Sequence, residues 1–206
     1  LPKNVDINMN TPIVIVASLA AWFLAVAGLA HAGLLSLVPG PAYALLVVAG
    51  VAAPFLAYRW SPGLQRWVSG VGLERLTLLH AWRIPAAFLF FYYGSQGMLP
   101  PLFWIVAGAG DLVAGMLALT RLRPLEGLTV RRIHQFGMAD FVAAVGLGLT
   151  FTLLQDPRMD TLRSLPMALI PLFGVGISGA THLMAFDLMR REGGDRLEAL
   201  RPTAHP

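Results

Sequence analysis

The sequence contains no cysteine, which excludes a disulfide framework, a thiolate metal site and a cysteine nucleophile. Lysine is nearly absent as well: Lys3 stands alone beside fourteen arginines. Charged residues make up 13% of the chain, against roughly 25% in a globular domain, so there is too little charge to clothe a water-facing surface. No internal repeat is evident, and the inverted-repeat signature of many transporters is missing. Nor is there a basic patch. The arginines are scattered over short segments between apolar runs, which argues against a nucleic-acid partner despite a pI near 10.1.

What the chain has instead is apolar length. It is 56% hydrophobic, with a mean hydropathy of +0.66. Six runs, 12–37, 42–59, 77–98, 101–121, 133–154 and 165–189, are long enough as helices to cross ~30 Å of hydrocarbon, which takes about 20 residues. Pro39-Gly40-Pro41, Pro100-Pro101 and Asp156-Pro157 punctuate successive pairs, as helix-stopping residues do. The expectation is an all-α membrane protein: one six-helix transmembrane bundle over residues 1–206, with the lipid bilayer as its first partner.

Basic residues set its orientation. Lys3, the connections holding Arg59, Arg66, Arg75, Arg121, Arg123, Arg131 and Arg132, and the tail with Arg190, Arg191, Arg196 and Arg201 fall on one side, against Arg158 and Arg163 on the other. The positive-inside rule then makes both termini cytoplasmic in a bacterial inner membrane. Ala30-His31-Ala32 has the form of a leader cleavage site, but its apolar run is too long and continues through Gly33-Leu34-Leu35. Met9 directly before the first run is read as a native start behind an extension. Between the second and third runs, Leu64, Trp67, Val68 and Val71 share a helical face beside Arg66 and Arg75, the pattern of a helix lying on the membrane surface with Trp60 as an anchor.

Within these runs lie four ionisable side chains, one on each of four helices: Arg83, Asp111, Asp140 and His182. A charge near the bilayer centre costs at least ~2.5–3.5 kcal/mol, so such residues face a bundle interior and pair there. Counted from the cytoplasmic helix ends, all four lie roughly 10–17 Å deep, with His80 one turn shallower. Small residues flank each of them: Gly108 and Gly115 about Asp111, Gly137 and Ala144 about Asp140, Ser178 and Gly179 by His182, Ala86 and Ala87 by Arg83. Such residues let helices approach closely enough for polar groups to bond across the gap. Arg83 is expected to neutralise one aspartate, which leaves the second with His182 or His80 as a proton-binding candidate.

Other polar residues carry weaker signals. His31 is placed at the opposite face, His134 and Asp187 at the cytoplasmic boundary where solvation is cheap, and His205 in the tail. Tyr92, Tyr93 and Gln96 suit either a vestibule or an aromatic belt. Gly176-Ile177-Ser178-Gly179 has the form of the serine motif of rhomboid intramembrane proteases, but His182 one turn along the same helix is badly placed as its base.

Arg83, Gly97-Met98-Leu99-Pro100, Gly108-Ala109-Gly110-Asp111-Leu112, Met138-Ala139-Asp140, Leu169-Ile170-Pro171 and His182 together resemble a family of small, uncharacterised bacterial polytopic integral membrane proteins. The resemblance implies membership and brings no activity with it. The residues themselves support proton-linked binding or translocation of a small solute or ion by Arg83, Asp111, Asp140, His182 and His80. An alternative is b-type haem held by His80 and His182 in an electron carrier, and a third is a non-catalytic accessory or assembly subunit. No metal ligand set is apparent, and Gly-rich faces allow a homodimer.

Overall fold

The computed structural model describes residues 10–123 and 128–199; Lys3, Met9, Arg201 and His205 lie outside them. Seven α-helices are present among the described residues: α1 Asn10–His31, α2 Gly40–Trp60, α3 Pro62–Leu79, α4 Arg83–Ser95, α5 Pro101–Leu119, α6 Val130–Leu153 and α7 Val175–Ala199. Five stretches, Thr11–His31, Gly40–Trp60, Pro101–Leu119, Val130–Leu153 and Ile170–Glu192, are long and apolar enough to cross a membrane.

Helix boundaries follow local chemistry. Pro41 and Pro101 sit in the first turns of α2 and α5, where a missing N–H costs nothing. Ser61 caps α3 by accepting the Leu64 N–H at 3.2 Å, and Thr129 caps α6 by accepting the Arg132 N–H at 3.3 Å. The first run stops at His31 rather than continuing to residue 37, because Gly33 turns left-handed at φ 71° and a 3-10 turn, Leu34–Leu37, follows. The last run opens with turns and a π-helical turn, Ile170–Gly174, before α7 begins.

The third apolar run, 77–98, is not one continuous helix. It divides into the end of α3, a 3-10 turn over His80–Trp82, and α4. Pro85 supplies the reason: it has no N–H to give the Ala81 carbonyl, and its ring crowds that carbonyl, so α geometry cannot run through. At 13 residues, α4 alone reaches about 20 Å, short of the hydrocarbon thickness.

Around α3 the expectation of a surface-lying helix gives way to a docked one. Gly72, at φ 78°, kinks it, and Val68 and Leu76 join Tyr58, Ala180, Met184 and Leu188 in a core cluster against which Leu64, Trp67 and Val71 also pack. Its apolar stripe therefore faces α7 and the end of α2, while Trp60 stays outward, 77% exposed. A second cluster joins Ala86 and Phe90 of α4 to Phe103 and Ala107 of α5, with Leu99, Met159, Leu162, Met167 and Ile170 closing its far end. Large apolar side chains meanwhile cover the outside of α1 and α2, with Ile13 68% and Leu45 69% exposed. The exterior is hydrocarbon-like and the charge lies within, the reverse of a water-soluble bundle.

Candidate functional site

Arg83 heads α4 and points into the bundle, 3% exposed. Its Nε donates to Asp111 Oδ1 of α5 at 2.6 Å, its Nη2 donates to Asp140 Oδ2 of α6, and its Nη1 reaches the Gly137 carbonyl at 3.5 Å. The expectation that Arg83 serves one aspartate and leaves the other to a histidine is corrected: one guanidinium bridges both. Its fork presents donors along two edges, and α5 and α6 are close enough to offer one carboxylate to each. Gly110 makes that approach possible, since a Cβ there would overlap the Asp140 carboxylate. With both carboxylates ionised the triad carries one net negative charge.

His182 and His80 do not bond to this triad. They form a second cluster with His134, and all three are at most 2% exposed. The His80 and His182 rings stack with centroids 3.9 Å apart and 12° between planes, and His134 meets both edge-on. His134 Nδ1 and His182 Nδ1 share a hydrogen bond of 2.8 Å. The placement of His134 in a cheaply solvated boundary is thus overturned: α3 and α7 pack over it. Its one sequence signal was Gly137, one turn on, where a Cβ would overlap the His182 ring.

Two threonines fix the rings. The Thr77 hydroxyl donates to Leu73 O at 2.7 Å, so at 3.1 Å from His134 Nε2 it accepts the ring N–H. Thr181 likewise donates to Ile177 O at 2.8 Å and faces His80 Nε2 at 3.4 Å. Both histidines then carry their proton on Nε2 and a lone pair on Nδ1. His182 donates through Nδ1 to His134 and keeps a lone pair on Nε2. Among the described residues, His80 Nδ1 and His182 Nε2 are buried without a hydrogen-bond partner.

The remaining candidates take ordinary places. Ser178 accepts the Trp82 indole N–H at 3.0 Å, so its hydroxyl tethers the 3-10 turn to α7. Asp187 lies at the rim, where Tyr58 donates to it at 2.7 Å and Arg59, Arg190 and Arg191 surround it at 2.8–3.5 Å. His31 and Tyr92 are exposed. A cavity of about 90 Å³ opens beside Arg83, Asp111, Trp82 and Ser178; Tyr43 and Thr152 also line it, and the rest of its wall is apolar, Phe103 and Phe141 included.

These features define a class: an all-helical protein with helices apolar enough to cross a membrane, packed around buried Arg, Asp and His side chains. A family model described as a domain of unknown function, DUF8737, matches residues 40–190, and the chain belongs to that family. The matched range contains every residue of both polar clusters. No curated protein and no solved structure matches the chain.

Proposed function

We propose that this protein binds or translocates a small solute or ion in a bacterial inner membrane, with a proton held on the Asp111 and Asp140 pair. The observation that carries this reading is the sharing of one guanidinium by two buried carboxylates. In a medium of low dielectric an uncompensated charge is costly, and a proton or an arriving cation balances it. The adjoining cavity, about 90 Å³, has room beside the pair for water or a small solute. In this reading the end of α3, the 3-10 turn and α4 complete a sixth crossing, and both termini are cytoplasmic, as the arginine distribution favours.

Haem held between His80 and His182 is the weaker alternative. Axial ligands approach iron from opposite faces of the macrocycle, and rings stacked 3.9 Å apart leave no layer for it.

Infrared difference spectra of the lipid-reconstituted protein, recorded across pH 5–8, test the proton site. A carboxyl carbonyl band that grows on acidification and disappears in Asp140→Asn or Asp111→Asn is the expected result. Both carboxylates ionised throughout that range would remove the reading.

A further inference from the structure

We propose that His80, His134 and His182 form a binding site for one divalent first-row transition metal of the zinc, cobalt, nickel or copper class. Three helical segments contribute one imidazole each: the 3-10 turn, α6 and α7. One nitrogen from each ring lies within 4.8 Å of the other two. Tetrahedral Zn²⁺ with bonds of 2.0–2.1 Å needs ligand nitrogens about 3.3 Å apart, so no pair has to close by more than about 1.5 Å. Where His182 binds through Nδ1, its contact with His134 Nδ1 widens from 2.8 Å by roughly half an ångström and the shared proton moves to His182 Nε2.

Protonation state favours the metal. Thr77 and Thr181 hold the Nε2 protons of His134 and His80, which turns their Nδ1 lone pairs toward the cluster. Metal-ligating histidines characteristically donate their other N–H to an outer partner. His182 offers a third lone pair on Nε2, or on Nδ1 after a tautomer shift that moves the proton between its own nitrogens. Two of these lone pairs, on His80 Nδ1 and His182 Nε2, are buried without a partner among the described residues, and such orphans are costly in a folded interior. Ligation satisfies the first, and the second where His182 binds through Nε2.

Charge and ligand chemistry agree. Three neutral imidazoles suit borderline metals rather than Mg²⁺ or Ca²⁺, which take oxygen ligands. No carboxylate joins the ring nitrogens, so the site keeps the 2+ charge of its ion. The Arg83, Asp111 and Asp140 triad, whose Arg83 follows His80 by three residues, supplies one excess negative charge for it when both carboxylates are ionised. A fourth coordination position is left for water or a small anion, the arrangement of open rather than closed zinc sites.

The test uses the full chain in lipid nanodiscs, purified through a tag without histidine, stripped with chelator and titrated with Co²⁺ and then Zn²⁺. One Co²⁺ per chain with the intense visible absorption of four-coordinate cobalt is expected, displaced by Zn²⁺. His134→Ala abolishes the band, Thr77→Val weakens binding about 10–100-fold, and His31→Ala changes neither. Zn²⁺ should raise the melting temperature of the native protein and leave that of His182→Ala unmoved, a readout that stands even if His134→Ala fails to fold. Asp140→Asn should keep the cobalt band while losing the proton signal, which separates this site from the proton reading. A native protein that binds no Co²⁺, or a band that survives His134→Ala, overturns the proposal.

Discussion

Gly110→Ala tests the shared guanidinium through a single methyl group. A Cβ at this position overlaps the Asp140 carboxylate. That group is the free end of a side chain, so it escapes by rotating, but rotation takes it off Arg83 Nη2. The structure thus converts a steric clash into the loss of one charge-assisted hydrogen bond, worth about 1.5–3 kcal/mol. Alanine in place of glycine also stabilises a helix interior by about 1 kcal/mol. Gly146→Ala cancels that term, because Gly146 lies in α6 with open space where its Cβ would go.

The two variants are therefore expected to differ by about 1.5–3 kcal/mol in unfolding free energy, with Gly110→Ala the weaker. Equilibrium unfolding in mixed micelles, titrated with a denaturing detergent, measures the difference. Repeating both in an Asp140→Asn background adds a control: an amide on Arg83 is a weaker partner, so the penalty at Gly110 shrinks. A difference below about 0.5 kcal/mol, the ordinary scatter of independent sites, would refute the bridged geometry.

Two further predictions concern Tyr43 and Asp156. Tyr43 donates to the Leu162 carbonyl at 2.6 Å in a buried position, so Tyr43→Phe should cost about 1–3 kcal/mol by stranding that carbonyl, measurable in the same unfolding titration. Asp156 accepts from the Arg158 side chain at 2.9 and 2.6 Å, and this hydrogen bonding holds its carboxyl below the usual range. Its contribution is therefore present above the unfolded value of about 3.9 and lost as pH falls through the lower folded value. Thermal melts of the native protein and Asp156→Asn should differ at neutral pH and converge in acid; a gap that widens in acid would contradict the assignment.

That Arg83, Asp111, Asp140 and His182 turn their side chains inward was legible in the sequence, because charge within an apolar run is rare and faces a bundle interior. Spacing along each helix does not say which groups face each other. The division into a triad and a histidine cluster depends on helix rotation, and the 3-10 turn ahead of Pro85 sets that rotation for His80 and Arg83. His134 was missed because it directly follows Arg131, Arg132 and Ile133 in a segment that reads as a solvated edge, and only the folding of α3 over it makes it interior. Gly110 was hidden for a related reason. Beside Asp111 it looks like part of one helix's groove, whereas its empty side receives a carboxylate from another.

The 3-10 turn at His80–Trp82 also works as a joint between the two clusters. Residues three apart in a 3-10 helix eclipse one another, while an α-helix advances about 100° per residue instead of 120°. Relaxing this turn to α geometry would swing His80 by about 60° relative to Arg83 over three residues. Trp82, pinned to Ser178, opposes that rotation. The turn thereby fixes the angle at which the imidazole of one cluster and the guanidinium of the other leave the same stretch of backbone.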